Sequence, residues 1–218
     1  MDASVATESP AFITIAVIGT VGFAVSGVMA AARAGMDWLG AMVLAVVVAI
    51  GGGTIRDPLL GQLPVSWLQQ VWPLLVAVAT AVVTMVIVRL RPDADPTNWT
   101  SVYLADAAGL SAFTILGTEI GLRAGLNPLL AVLLGVITGV GGGVIRDVLT
   151  GNRPMVLVGQ VYAVAGIAGG TLFAVLMWAD ASPQIAVWPS VMLIFVIRLL
   201  AIRGSWHLPK VAPDPSTR

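Results

Sequence analysis

The sequence predicts an all-α integral membrane protein, with seven transmembrane helices as two inverted three-helix repeats plus a seventh helix. Three observations predict this fold. The 218-residue chain is 58% hydrophobic and only 10% charged, with a mean hydropathy of +0.96, whereas soluble domains carry about 25% charged residues. Seven segments are long and apolar enough to cross a bilayer as helices. The chain also repeats itself at an offset of 90 residues.

The composition excludes several classes of site. The net charge is zero and there is no cysteine, so nothing favours a nucleic-acid partner, and disulfides and thiolate metal sites are excluded. No cofactor is predicted. The first ten residues carry no Lys or Arg, so the first apolar segment is predicted to be a retained span rather than a cleaved secretory signal.

The predicted spans are 12–32, 38–60, 67–89, 101–122, 127–149, 155–178 and 185–203. Lipid permits only helices or closed barrels, and strand-length alternating segments are absent. Six of the seven tryptophans lie near proposed span ends, as in interfacial aromatic belts. The chain then divides into a first repeat (12–90), a second, inverted repeat (101–178), a seventh helix (185–203) and a cytoplasmic tail (204–218).

Basic residues in the loops predict the orientation, because cytoplasmic loops carry an excess of Lys and Arg. One side would hold the N-terminus and two arginines, Arg56 and Arg123. The other side would hold nine basic residues, namely Arg33, Arg89, Arg91, Arg146, Arg153, Arg198, Arg203, Lys210 and Arg218. The N-terminus is therefore predicted outside and the C-terminus in the cytoplasm, for a multi-pass protein of the cell inner (plasma) membrane.

The internal repeat is clearest at a glycine-rich motif. GGGTIRD at 51–57 recurs as GGGVIRD at 141–147, and the match continues upstream without a gap, with RAGMD at 33–37 against RAGLN at 123–127. Each repeat holds three spans, and an odd number of spans makes the second repeat enter the membrane from the opposite side. The repeats are then related by a pseudo-two-fold axis in the membrane plane, as in many transport proteins.

Two glycine triplets are the first candidate site residues: Gly51, Gly52, Gly53 and Gly141, Gly142, Gly143. Each triplet lies ~20 Å into its span, at or past the bilayer centre. Glycine costs about 1 kcal/mol relative to alanine in a helix, so a kink or break with bare backbone is predicted, lining a cavity or pore. The alternative is close helix packing through small residues, which needs no pore.

An Arg–Asp pair follows each triplet: Arg56 with Asp57, and Arg146 with Asp147. Charged groups inside spans should face the protein interior. Adjacent residues do not face each other on a helix, so each is expected to bond to another helix or to free backbone. Asp57 precedes Pro58, the pattern of an N-cap, and a second half-helix is expected to start there.

Other polar residues lie within the spans. Asp106 is the acid predicted to be functional, whereas Glu119, close to a loop, is predicted to be solvated. Ser26 and Thr138 are candidates for lining a polar path, although helical hydroxyls more often bond their own backbone. No HExxH, GxSxG, phosphate-binding loop or metal-ligand cluster occurs in the sequence, so no enzyme is predicted.

Four motifs carry a resemblance to a known family: GTVGFAVSGVMAAARAGMD (19–37), AIGGGTIRDPLLG (49–61), DAAGLSAFTILGTEIGL (106–122) and GVGGGVIRDVLTG (139–151). With these motifs the chain resembles the prokaryotic TRIC channel family, relatives of trimeric intracellular cation channels, over residues 12 to about 203. The same bacterial domain is also labelled a glycine transporter.

The resemblance implies a homotrimer in membrane lipid, with one pore per protomer through a six-helix bundle that is kinked at the glycine triplets. It also implies flux of monovalent cations, chiefly potassium, with Arg56, Asp57, Asp106, Arg146 and Asp147 as polar pore groups. The Lys-Glu-Val signature of animal members is absent. The only lysine is Lys210, so phosphoinositide binding is not carried over.

Two functions follow from these observations. A passive channel for potassium or sodium ions requires that the arginines be neutralised, because they would otherwise repel cations, and Asp57, Asp106 or Asp147 is expected to do so. A carrier for glycine or another small solute would equally suit inverted repeats with broken helices. A non-transporting membrane scaffold is the third possibility.

Overall fold

A computed structural model describes residues 9–90, 99–158, 161–204 and 206. The predicted tail lies almost entirely outside these residues, as do Arg91, Lys210 and Arg218. The described part of the chain is helical and contains no strand. Its helices are α1 (Pro10–Arg33), α2 (Trp38–Leu59), α3 (Ser66–Gln69), α4 (Trp72–Leu90), α5 (Trp99–Arg123), α6 (Pro128–Leu149), α7 (Ala163–Trp178) and α8 (Pro183–Gly204).

Five helices are long and apolar enough to cross a membrane: α1, α2, α4, α6 and α8. Helix α7 is apolar but has only 16 residues. Helix α5 has 25 residues and is less apolar, because it carries the acids Asp106 and Glu119 among its apolar side chains. The all-α membrane fold predicted from composition is therefore confirmed.

The predicted starts of the third and sixth spans were wrong. Helices α4 and α7 begin at Trp72 and Ala163, not at 67 and 155. In both places the chain first passes through a short turn, α3 or the 3-10 turn Met155–Leu157. The backbone N–H groups of Ser66 and Met155 donate to Asp57 and Asp147, which lie near the ends of the preceding helices. These bonds hold each turn against its helix before the next helix begins.

The connections α1–α2 and α5–α6 are built by equivalent residues. Asp37 caps α2 by accepting from Gly40 N at 2.7 Å, and Asn127 caps α6 by accepting from Leu130 N at 2.9 Å, the role for which these short polar side chains are preferred. Gly35 and Gly125 precede them with positive φ values of 68° and 83°. Because the caps and turn glycines recur 90 residues apart, α2 (Trp38–Leu59) and α6 (Pro128–Leu149) begin and end at equivalent positions of the repeat.

Helices α1, α2, α5 and α6 form the centre of the bundle. Helix α4 packs on α1 and α2, α7 packs on α5 and α6, and α8 packs on α5 and α7. Close approach of the central helices depends on small residues. A Cβ on Gly22 of α1, for example, would lie 2.7 Å from the carbonyl oxygen of Ala105 in α5.

Candidate functional site

The glycine triplets lie where α2 crosses α6. A Cβ on Gly52 would lie 2.0 Å from the carbonyl oxygen of Thr138, and one on Gly142 would lie 2.4 Å from that of Val48. Val48 and Thr138 are themselves equivalent positions of the repeat. The middle glycine of each triplet is thus a reciprocal backbone contact, which is the packing role of small residues in membrane helices.

The other glycines of the triplets divide into two kinds. A Cβ on Gly51 would meet Ile145, and one on Gly141 would meet Ile55 and Gly52, so both belong to the same crossing. Gly53 has no atom nearer than 3.6 Å to its Cβ position and borders a cavity. A Cβ on Gly143 would lie 2.7 Å from the hydroxyl of Tyr162 and 3.1 Å from Asp106.

The predicted break at the triplets was wrong, because α2 and α6 continue as helices through them. The half-helix expected to start at Asp57 is also absent, since Asp57 and Pro58 lie within α2. A continuous helix satisfies its own backbone groups in lipid, and the close α2–α6 contact offsets the cost of glycine in a helix. The predicted kinks stay a prediction.

The first Arg–Asp pair closes on itself at the end of α2. Arg56 Nε and Nη2 donate to Asp57 Oδ1 at 2.8 and 2.6 Å, and Ser66 N donates to Asp57 Oδ2 at 2.7 Å. Nη2 also lies 3.4 Å from Ser66 Oγ. The expectation that adjacent residues would not bond was wrong here, because the long arginine side chain folds back to reach its neighbour.

The second pair is the centre of a larger buried cluster, which we call the Arg146 network. Arg146 Nε donates to Asp147 Oδ1 at 2.8 Å, and its Nη1 donates to Asp106 Oδ1 at 2.6 Å and to Ser26 Oγ. Tyr162 OH donates to the same Asp106 oxygen at 3.1 Å. The network thus joins α1, α5, α6 and the start of α7, and all five side chains are buried.

A cavity of about 730 Å³ lies beside Arg56, and we call it the Arg56 cavity. Its walls come from α1, α2, α5 and the segment 61–73, and it reaches Thr20 and Ala49, about halfway along their helices. Polar lining is supplied by Arg56, Gln62, Ser66, Gln69 and Gln70. Such a volume is in the range of small-molecule sites in proteins.

The Arg56 cavity and the Arg146 network occupy equivalent places in the two repeats. Ala16, Leu116 and Trp72 line the cavity. At the repeat offset of 90, their counterparts are Asp106, Ser26 and Tyr162, which are members of the network. In the first repeat the place beside the arginine is an open cavity, because Ala16, Leu116 and Trp72 do not bond to Arg56. In the second repeat the equivalent place is filled by side chains of the Arg146 network.

The cavity and the network lie at opposite ends of the bundle. The cavity is lined by the C-terminal part of α2 and the early part of α1, and we call this the cavity end. The network contains the C-terminal part of α6 and the late part of α1, and we call this the network end. The α2–α6 glycine crossing lies between them.

Two polar residues singled out in the sequence, Glu119 and Thr138, are not members of the Arg146 network. Glu119 was predicted to be solvated, which was wrong: it is 1% exposed, and one oxygen accepts from Arg123 Nε one turn later. The ion pair with Arg123 compensates the cost of burying the Glu119 carboxylate. Thr138 is buried, and its hydroxyl donates to Leu134 O at 2.7 Å within its own helix. It belongs to the glycine crossing because its carbonyl oxygen faces Gly52.

Sequence reasoning missed Tyr162 and Arg198. Arg198 of α8 is fully buried, and its guanidinium carbon lies 4.5 Å from the Tyr162 ring centroid. The available signal was an arginine inside an apolar span, which is costly and usually functional. Arg56, Arg146 and Arg198 are all buried, so counting them as loop charges was wrong. When these three arginines are left out of the count, the side predicted to be cytoplasmic still carries more Lys and Arg than the other side.

Comparisons with known proteins agree with this architecture. The family model described as glycine transporter matches residues 13–89 and 103–178. A UPF0126 membrane protein of Vibrio cholerae is 44% identical over 208 residues, covering 95% of this chain and 85% of the relative. The UPF0126 inner membrane protein YadS of Escherichia coli K12 is 43% identical over 203 residues, covering 93% and 97%.

Among solved structures, a TRIC trimeric intracellular cation channel orthologue from Rhodobacter sphaeroides matches with a TM-score of 0.83 and 31% identity, over 90% of this chain and 100% of that one. The chain belongs to the prokaryotic TRIC family. A second solved TRIC cation channel matches this TRIC-family chain with a TM-score of 0.80 and 33% identity, over 93% and 98% of the two chains. The two stretches matched by the family model begin at equivalent positions of the repeat.

Proposed function

We propose that this TRIC-family protein is a channel for monovalent cations, mainly potassium, with one conduction path in each protomer. The observation that carries the proposal is the alignment of the Arg56 cavity, the glycine crossing and the Arg146 network along one bundle. The path would run from the cavity through the crossing to the network. Solved structures similar to this chain are those of TRIC cation channels.

The charges along this path support cation conduction. Arg56 is paired with Asp57, and Arg146 is paired with both Asp106 and Asp147. The network around Arg146 thus places two acids against one arginine, so the arginine does not impose a positive barrier. Asp106 Oδ2 is buried and has no hydrogen-bond partner among the described residues, which leaves an acceptor oxygen for a passing cation.

Conduction would require the network to open. In the structure Arg146, Asp106, Ser26 and Tyr162 fill the place that is a cavity in the other repeat. Separation of Arg146 from Asp106 would open a second cavity at the network end and join it to the first. The polar groups of the path would then be Arg56, Asp57, Asp106, Arg146, Asp147 and Ser26, with Thr138 and the triplet glycines at the narrow crossing.

The proposed architecture is that of the sequence prediction: an inverted pair of three-helix repeats, 12–90 and 101–178, with a seventh helix and a cytoplasmic C-terminus. The chain would form a homotrimer in the cell inner membrane, since a neighbour of known structure is a trimeric channel and a relative is an inner membrane protein. The cavity end would face outward.

Potassium flux into liposomes tests the proposal. Purified protein, shown to be folded and uniform by size-exclusion chromatography, is reconstituted with a potassium gradient, and flux is followed with a potassium-sensitive dye and by single-channel recording. We expect passive, non-saturating potassium current. Folded protein that carries no such current under any gradient or voltage would contradict the channel.

A carrier for glycine is the second candidate, and the Arg56 cavity is the observation that favours it. Its volume suits a small solute, and it presents a guanidinium together with serine and glutamine side chains, which are groups that bind a carboxylate. Saturable uptake of labelled glycine, driven by an ion gradient and abolished by Ser66→Leu, would favour the carrier over the channel.

A further inference from the structure

The seventh helix contributes a buried charge to the centre of the protein. Arg198 lies in the last two turns of α8 and is fully buried, although α8 has no counterpart in the repeats. Its guanidinium lies over the ring of Tyr162 at 4.5 Å, and its Nη1 donates to the carbonyl oxygen of Val161 at 3.3 Å. Burying an arginine is costly, and these contacts are among those that compensate it.

Tyr162 connects Arg198 to the acid of the Arg146 network. The tyrosine is 1% exposed, its ring is covered by Arg198, and its hydroxyl donates to Asp106 Oδ1 at 3.1 Å. That same oxygen accepts from Arg146 at 2.6 Å. A continuous chain of contacts therefore runs from α8 through Tyr162 to the Asp106–Arg146 pair.

Arg198 favours the packed arrangement of the network through the tyrosine. Its guanidinium covers the Tyr162 ring and so fixes the ring in the position from which the hydroxyl reaches Asp106. The tyrosine hydroxyl thereby stays bonded to the acid that pairs with Arg146.

We infer that Arg198 is a positioning residue that holds the Arg146 network shut by acting through Tyr162. The inference rests on the proposed function, in which conduction requires Arg146 and Asp106 to separate. The seventh helix is then the element that sets the closed state, and α8 movement away from α7 releases the tyrosine and opens the network end.

The test compares Arg198→Gln with Arg203→Gln, an exposed arginine on the same helix. We expect Arg198→Gln to raise the open probability about fivefold or more, because it removes a desolvated cation–π contact that holds Tyr162 in place. Arg203→Gln should behave as wild type. Arg198→Lys keeps the charge but loses the planar guanidinium over the ring, so it should raise the open probability less than Arg198→Gln does. Tyr162→Phe should open the channel to a similar extent, and adding Arg198→Gln to it should change little.

A second readout does not depend on conduction. The chain has no cysteine, so Ser26→Cys introduces a single thiol inside the network, where the serine is fully buried. Its modification by a small cationic thiol reagent reports opening of the network. We expect the rate to rise in parallel in the Arg198→Gln and Tyr162→Phe backgrounds and to stay low with Arg203→Gln.

The two readouts separate the inference from the proposed function. Faster thiol modification with no potassium current in any variant, wild type included, would support the inference and overturn the channel. Wild-type current with unchanged open probability and unchanged modification in Arg198→Gln would overturn the inference alone. If Arg198→Gln does not fold, Arg198→Lys decides the question, since it keeps the buried charge and loses the planar guanidinium over the ring. Open probability and thiol modification equal to wild type in that variant would overturn the inference.

Discussion

At the residue scale, neighbouring glycines with the same local sequence have different roles. Gly52 meets the backbone of α6, whereas Gly53 faces the Arg56 cavity. This difference follows from the helix period, since adjacent residues point about 100° apart. The first triplet therefore combines a helix-packing contact at Gly52 and a cavity wall at Gly53 within a single helical turn.

The Gly52→Ala substitution should destabilise the protein and Gly53→Ala should not. The Cβ added at position 52 would lie 2.0 Å from the Thr138 carbonyl oxygen, so α2 and α6 must move apart, at a cost of about 1–3 kcal/mol. At position 53 the nearest atom is 3.6 Å away, and alanine should stabilise the helix by up to about 1 kcal/mol. Thermal unfolding in detergent measures both variants, and equal melting temperatures would contradict the crossing.

The carboxylate of Asp106 should set unitary conductance. Asp106→Asn leaves Arg146 facing one acid instead of two, and removal of one charge near the path changes an ion's energy by about 1–2 kcal/mol at an effective dielectric constant near 20. We expect single-channel potassium conductance to fall roughly tenfold.

The matched control for Asp106 is Asp37→Asn. Asp37 is an exposed acid at the network end that caps α2, and asparagine caps helices as well as aspartate does. This control should conduct as wild type. A similar loss in both variants would indicate a general surface-charge effect, and no loss in either would remove Asp106 from the path.

At the scale of elements, the aspartate of each Arg–Asp pair attaches the next segment to its helix. Asp57 holds the turn of α3 through Ser66 N, and Asp147 holds the 3-10 turn through Met155 N. Each aspartate also accepts from its own arginine. One carboxylate near the end of each helix thereby neutralises a buried cation and positions the following turn.

The Asp57→Ala variant should loosen segment 61–70. The substitution removes the acceptor for Ser66 N and leaves Arg56 without its acid, and breaking a buried pair in this way costs about 3–5 kcal/mol. Hydrogen–deuterium exchange of peptides covering Ser66–Gln69 should become faster, while peptides covering α8 should keep wild-type protection. Unchanged exchange near Ser66 would show that the turn is held by other contacts.

At the scale of the whole molecule, the two repeats have similar sequences but differ in how their interior is filled. One contains a cavity and the other contains a buried ionic network at the equivalent place. The difference lies in three pairs of residues, Ala16 with Asp106, Leu116 with Ser26 and Trp72 with Tyr162. Helix α8 adds Arg198 to one half only.

The inverted topology predicts that equivalent positions face opposite sides of the membrane. Gln62 and Asn152 are repeat counterparts in the segments after α2 and α6. Single-cysteine variants at these positions, in a chain that is otherwise free of cysteine, should respond oppositely to a membrane-impermeant maleimide in intact cells. We expect Gln62→Cys to be labelled from outside and Asn152→Cys to be labelled only after permeabilisation. Labelling of both from one side would exclude inversion.

The sequence by itself determined the helical membrane fold, the duplication and most helix bounds. These features depend on local properties, such as the length of apolar segments, the caps Asp37 and Asn127, and turn glycines such as Gly35. It also identified Asp106, Ser26 and both Arg–Asp pairs as candidate site residues, because buried charges and symmetric motifs are visible in one dimension.

Only the tertiary structure decided how these residues are joined. The contacts of Arg146 with Ser26 and Asp106 connect residues 120 and 40 positions apart, and Arg198 reaches Tyr162 from a helix outside the repeat. Likewise, an unbroken helix at the triplets follows from the α2–α6 approach, which outweighs the local preference of glycine. Side-chain partners depend on packing between helices, and the helical pattern of one segment contains no information about which neighbour it will meet.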